Sequence, residues 1–386
     1  MTANSVEAQP SRGRTRWQDL LIVDADVHIH DTPRSLIPYC EMPWRVALEN
    51  IQDAHENYLD IPGFSPGSTQ YQPSWPTGHE RGRTVLTPQQ MRAELGPLHV
   101  DIAILFPDNL LKLPVIAHPE YASALARAYN AWLAEEWCRP DSDLLGCICA
   151  CPQMPEDAAQ EIRKYAGHPG MVGVFLPCAG VDPMWGNRRY EPIYAAAEEA
   201  DLPVLLHSVT VVHPVFPHNS HGFATDIARH TTAHTFAIMA NLVDMVTMGV
   251  QVRHPRLRVA ATEAGLSWVP FLMMKLDKEY LEKRREVPWL TERPSHYLKR
   301  FFYATQPIEE PEQLRDMATI VSLFEGDNQV VFASDWPHHD FDHPSKVAQI
   351  PFPEDVRRKI FGENALRLFA IDAQGRRLRR PEPAAR

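Results

Sequence analysis

Eight short apolar runs alternate with longer helical patterns along this chain, and that alternation limits the folds open to it more than any other feature. The candidate strands are Leu21 to Val27, Val100 to Leu105, Leu144 to Ala150, Met171 to Leu176, Leu202 to His207, Leu257 to Glu263, Phe301 to Thr305 and Gln329 to Asp335. Helical patterns follow them at Pro88 to Leu95, Pro119 to Trp137, Pro155 to Tyr165, Tyr190 to Ala200, Ala233 to Val250, Leu266 to Arg285, Pro311 to Phe324 and Pro353 to Phe369. Several open on Pro, whose missing N–H costs nothing in a first helical turn. Eight strands, each followed by a helix, predict a (β/α)8 TIM barrel. Two segments exceed the minimal barrel: residues 31 to 87, rich in Pro, Gly, Trp and Tyr, and the His-rich stretch 208 to 232. Both follow strands, so both are expected over the C-terminal mouth, where barrel loops build sites; the first reads as a lid or specificity insertion.

Composition narrows the partners. The chain has 38 basic and 49 acidic residues, a formal charge of -11, and its basic clusters sit near the ends (Arg12, Arg14, Arg16; Arg376, Arg377, Arg379, Arg380). That argues against a nucleic-acid surface. The N-terminal stretch lacks the apolar core of a signal peptide and no run of about 18 apolar residues occurs, so a soluble cytoplasmic protein without a membrane partner is expected. One domain is expected over residues 17 to 372, with 1 to 16 and 373 to 386 disordered. Cys147, Cys149 and Cys151 fall on one strand face roughly 6.6 Å apart, a poor disulfide geometry, which favours buried free thiols over a thiolate metal site.

Strand 1 is unusual in detail. In Val23-Asp24-Ala25-Asp26-Val27-His28-Ile29-His30-Asp31 the even positions are all Asp or His and those between are apolar up to Ile29. Successive side chains of a strand point to opposite faces, so Asp24, Asp26, His28 and His30 share one face. Such alternation also suits a half-solvated antiparallel strand. Inside a barrel, two carboxylates and two imidazoles need compensation for lost water, and a bound cation is the simplest form of it. Other strands end the same way: Leu205-Leu206-His207, Ala261-Thr262-Glu263 and Ala333-Ser334-Asp335. Any one of these is as readily structural as functional; three in barrel register argue for a common site.

These residues resemble the metal centre of the amidohydrolase superfamily, and RHPRLRVAATEAG with the closing IFGENALRLF resembles the branch named for aminocarboxymuconate semialdehyde decarboxylase. The similarity spans roughly residues 20 to 371. It implies a mononuclear divalent metal, zinc first and manganese second, held by His28, His30, His207 and Asp335. Three imidazoles and one carboxylate suit zinc, which lowers the pKa of bound water to about 7. The resemblance also makes a homodimer or higher homo-oligomer the expected assembly.

One position departs from the family's decarboxylases, in which strand 6 ends in His; here the corresponding residue is Glu263. A carboxylate there can act as a base or form a structural ion pair, and its charge would oppose a substrate carboxylate beside the metal. The expectation is therefore a hydrolase acting on an amide, lactone or activated C–C bond of a small cyclic or aromatic compound. Asp335, Glu263 and His338 are its catalytic candidates. The alternative is a non-oxidative decarboxylase of a small aromatic or unsaturated acid, and a non-catalytic, metal-stabilised binding protein is the third reading. His339, His213, His218, His221, His230 and His234 are further mouth histidines, either solvated or touching substrate. Arg45, Arg188 and Arg189 are candidates to clamp a carboxylate, and Trp185, Trp268 and Trp336 to wall a pocket.

Overall fold

The computed structural model describes residues 15–53, 87–139, 142–209, 223–338 and 340–378. Eight parallel strands pair in chain order: β1 (Val23–Ile29), β2 (Ile102–Pro107), β3 (Leu144–Cys149), β4 (Met171–Pro177), β5 (Val204–His207), β6 (Val259–Ala261), β7 (Phe302–Ala304) and β8 (Val330–Val331). The first and last meet as well. Ala25 N–H donates to Phe332 O at 2.9 Å, and Val27 pairs in parallel with Trp336, which brings the sheet round into a barrel.

The strands are apolar on both faces because both are covered. Every residue of β2, β3 and β4 is buried, one face against the helices and the other inside the barrel. The helices Pro88–Leu95, Pro119–Trp132 and Pro155–Tyr165 begin at the prolines that the sequence marks. The first is closed by a capping box in which Thr87 Oγ1 accepts from Gln90 N–H while the Gln90 side chain accepts from Thr87 N–H.

Several elements differ from the sequence expectation: the helix expected from Pro311 spans Arg315–Leu323, and β8 is shorter than Gln329 to Asp335. The helix after β5 spans Asp226–Thr247 and so begins earlier than Ala233, with Thr225 as its cap. Its polar first turns hide the 3.6-residue period. The last helical segment is three pieces, Glu354–Arg358, a π-turn at Lys359–Glu363, and Asn364–Phe369. In that π-turn Gly362 lies so close to the segment leading into β1 that a Cβ would sit 2.7 Å from Leu21 O. Beyond it, Ile371 bridges to Arg377, and the Arg377 guanidinium donates to the carbonyls of Ala166 and Ala200 (2.9 Å to the latter), at the ends of two helices. The boundary drawn at 372 thus falls inside this turn. All six cysteines are buried free thiols. Among the described residues no helix is long and apolar enough to cross a membrane.

Candidate metal centre

Buried polar residues gather along β1 and at or just beyond the C-terminal ends of β5, β6 and β8: Asp24, Asp26, His28, His207, Glu263 and Asp335 are each at most 3% exposed. Their heights are set by register. Asp335 N–H donates to Asp26 O at 2.9 Å and His28 N–H to Trp336 O at 2.8 Å, so Asp335 stands level with the Asp26–His28 section of β1. Donor atoms of Asp26, His28, His207 and Asp335 consequently lie within 4.8 Å of one another. His28 Nε2 is 3.1 Å from Asp335 Oδ1 and 3.4 Å from Asp26 Oδ1, and His207 Nε2 is 3.2 Å from Asp26 Oδ2.

This donor set fits a divalent cation. His28 Nδ1–H donates to Pro107 O at 2.8 Å and His207 Nδ1–H to Ser208 O at 2.7 Å. Each carbonyl fixes the tautomer, leaving the Nε2 lone pair aimed inward, the usual arrangement of a metal-bound imidazole. Both Nε2 atoms and both Asp26 oxygens are buried and lack a conventional hydrogen bond, an expensive arrangement that a cation among them resolves. The electrostatics agree. Burial opposes charge on His28, yet Asp26 and Asp335 drive its imidazole up to about 10, so the cluster demands positive charge at that spot. Burial likewise opposes ionising Asp26 and Asp335, but the neighbouring imidazoles hold both below the usual carboxylate range. Asp24, one step deeper, is pushed up to about 7 by burial and accepts from Ser334 N–H at 2.8 Å.

A second layer lies around these four. Gln306, just beyond β7, donates from Nε2 to Asp335 Oδ2 at 3.1 Å. His338 stacks on His28 with ring centroids 4.2 Å apart, donates from Nδ1 to Asp335 Oδ1 at 2.8 Å, and faces Asp108 Oδ1 through Nε2 at 3.3 Å. Burial opposes its charge, but Asp335 and Asp108 outweigh it and raise its pKa well above the ordinary histidine value. Glu263 directs Oε1 to His234 Nδ1 at 2.9 Å and Oε2 towards the His207 ring at 3.4 Å. Burial, then the nearby Asp335, raises the Glu263 carboxyl well above its usual range. Both Glu263 and Asp335 have left-handed backbones, φ 53° and 62°, which side chains adopt at a cost of about 1–2 kcal/mol and which are concentrated at functional turns.

The amidohydrolase family profile matches residues 24–371, nearly the whole barrel. The chain belongs to the amidohydrolase family. It is a metal-dependent enzyme of that superfamily, in the branch that contains aminocarboxymuconate semialdehyde decarboxylase. This amidohydrolase is 28% identical over 360 residues to the gamma-resorcylate decarboxylase of Rhodococcus jostii (strain RHA1), covering 86% of the present chain and 100% of that protein. Among solved structures it resembles an amidohydrolase from Mycobacterium avium subsp. paratuberculosis K-10, with TM-score 0.70, 20% identity and coverage of 91% and 99% of the two chains. It also resembles the 5-carboxyvanillate decarboxylase of Novosphingobium aromaticivorans DSM 12444 complexed with manganese and 4-hydroxy-3-methoxy-5-nitrobenzoic acid, with TM-score 0.68, 19% identity and coverage of 92% and 97%.

The structure of the amidohydrolase brings His28, His207 and Asp335 together with Asp26, and it places His30 elsewhere. His30 lies one residue beyond the end of β1, above the level of Asp335, with Nε2 3.5 Å from Asp108 Oδ2. Glu263 and His338 lie beside the cluster, and their donor atoms also come within 4.8 Å of one of Asp335. His234 meets Glu263, and His230 Nε2 is 3.6 Å from Asp340. Arg45 Nε donates to Cys40 O and Arg189 to Gln153 O, so each holds backbone. The indoles of Trp185 and Trp268 donate to Pro177 O and Ala264 O as part of the packing. His213, His218, His221 and His339 lie outside the described residues. Sequence reading missed Asp108 and Gln306. Both follow short apolar strands, Ile102–Pro107 and Phe302–Ala304, closely enough that the rule which found His207 and Asp335 also reaches them.

Proposed function

We propose that the chain is a metal-dependent, non-oxidative decarboxylase of a small aromatic acid with a hydroxyl next to its carboxylate. The observation that carries this reading is the hydrogen bond between His338 Nδ1 and Asp335 Oδ1, which holds a proton at the edge of the four-residue donor cluster. The gamma-resorcylate decarboxylases support the same reaction, aligning over 86% of the chain. From sequence alone hydrolysis is the expectation, because a charged Glu263 would repel a substrate carboxylate. That argument weakens in the folded chain, where Glu263 is buried, its carboxyl is raised well above the usual range, and Oε1 is directed at His234.

Asp26, His28, His207 and Asp335 would hold the metal. Two carboxylates with two imidazoles form a harder donor set than the three imidazoles expected from the sequence, which moves the preference from zinc towards manganese. When bound, the cation would neutralise the substrate's carboxylate and hydroxyl and so draw the acid into the apolar barrel mouth.

The protein's own groups then manage one proton. The proton between His338 and Asp335 passes to the ring carbon that bears the carboxylate, a carbon made electron-rich by the adjacent hydroxyl. The C–C bond breaks, its electron pair restores the aromatic ring, CO2 leaves, and His338 recovers a proton from solvent. Burial of the cluster excludes water, which strengthens these charged contacts.

A panel of ortho-hydroxybenzoates in D2O, with manganese-loaded protein, tests the reading. It predicts one CO2 released per turnover and one deuterium at the vacated carbon. Hydrolysis of amides or lactones with no CO2 from any aromatic acid would overturn it. We propose a homodimer or larger assembly in addition. Exposed Ile227 (77%), Phe236 (47%), Phe271 (57%) and Met274 (64%) on the neighbouring helices Asp226–Thr247 and Trp268–Lys283 support it.

A further inference from the structure

We infer that Asp108, which follows β2, is a positioning residue that fixes the imidazole of His338 over the site. Its own backbone is held rigidly. Asp31 accepts from Asp108 N–H at 2.9 Å and Asn109 N–H at 2.7 Å through Oδ1, and from Leu110 N–H at 3.1 Å through Oδ2. The Asp108 side chain is 9% exposed and places Oδ1 at 3.3 Å from His338 Nε2. The opposite ring nitrogen is 2.8 Å from Asp335, and one ring face lies on His28, 27° from coplanar. His338 is thus gripped at both edges and on one face, although it belongs to the turn after β8 and its side chain keeps 17% exposure towards the mouth.

Without Asp108 the outer edge of the ring loses its acceptor, and rotation about the side-chain bonds carries Nδ1 away from Asp335. Asp108 also meets His30, whose Nε2 is 3.5 Å from Oδ2. One carboxylate therefore lies against two histidines of the mouth, one following each of the barrel's closing strands. Outer partners of this kind contribute through geometry, and removing them typically costs 10–100-fold in activity.

The consequence for turnover rests on the decarboxylase reading; the placement of the ring does not. In the full-length manganese-loaded enzyme, Asp108→Leu is expected to lower kcat about 10–100-fold, with KM and bound manganese within about 2-fold of wild type. Asp108→Ser, which is too short to reach Nε2, carries the same expectation should the Leu variant fail to fold. Asp108→Asn keeps an acceptor oxygen at the same reach and is expected to recover much of the loss. The decisive readout is a double-mutant cycle. Once His338→Gln is present, adding Asp108→Leu or Asp108→Ser should slow the enzyme no further. Full additivity in that cycle, an unchanged kcat in the Asp108 variants, or loss of metal together with kcat in every one of them would overturn the proposal. If the wild type releases no CO2, the decarboxylase reading fails, and the placement is then read from the 15N shift of His338 Nε2 in zinc-loaded protein. Asp108→Ser should move that resonance; an unmoved resonance would count against the proposal.

Discussion

At the scale of single residues, the buried donor cluster of Asp26, His28, His207 and Asp335 depends on hydrogen bonds that close the barrel between β1 and the residues after β8. Sequence alternation assigns Asp24, Asp26, His28 and His30 to one face of the first strand, but the register of β1 shifts between Asp24 and Val27 and the strand ends at Ile29, so alternation cannot say which members stand level with His207 and Asp335. That depends on the hydrogen bonds between β1 and the residues after β8, such as Asp335 N–H to Asp26 O, which join positions some 300 residues apart and leave no local trace. Asp342 provides a test of the electrostatics away from the metal cluster. Its carboxyl is raised to about 6, chiefly by burial, against the help of Ile308 N–H and Lys346. A raised carboxyl binds more protons folded than unfolded, so stability should fall as pH rises from about 4 to about 6 and then level off. Relative to Asp342→Asn, wild type is expected to lose about 2–4 kcal/mol between pH 4 and pH 7 in urea titrations. A pH-independent difference would contradict the assignment.

Whole elements were easier to read than single heights. All eight strands and their order follow from apolar runs bounded by turn residues, and the helices Pro88–Leu95 and Pro155–Tyr165 have the bounds that their prolines and periodicity predict. The early start of the helix at Asp226 was missed because Arg229, His230, Thr231 and Thr232 break the apolar stripe. How helices are tied to strands was also hidden. Asn130 on the helix Pro119–Trp132 is fully buried; its Oδ1 accepts from Cys149 N–H at 2.8 Å and its Nδ2–H donates to Cys149 O at 3.3 Å. A single side chain thus satisfies both backbone groups at the end of β3. Asn130→Leu should strand both and cost about 2–4 kcal/mol, read as a lower urea midpoint with an unchanged slope. A shift below about 0.5 kcal/mol would mean that the strand end finds other partners.

For the molecule as a whole, the barrel stores unfavourable buried charge at one end, and a cation is what relieves it. Metal that binds only the folded chain should therefore stabilise it, by about 2.7 kcal/mol when free metal is a hundred times Kd. Thermal unfolding with and without manganese checks this, and an unchanged Tm would deny the linkage. Assembly is tested separately: Phe271→Glu with Met274→Glu should shift the particle seen in sedimentation towards the monomer, and an unchanged sedimentation coefficient would exclude that face. The central claim is that the reaction is organised by Asp26, His28, His207 and Asp335, with His30 outside the metal's reach. Metal content after manganese loading and dialysis tests it most directly. Wild type and His30→Ala should each retain about one equivalent, while Asp26→Ala retains less than about 0.2. An emptied His30→Ala beside a fully loaded Asp26→Ala would contradict the account.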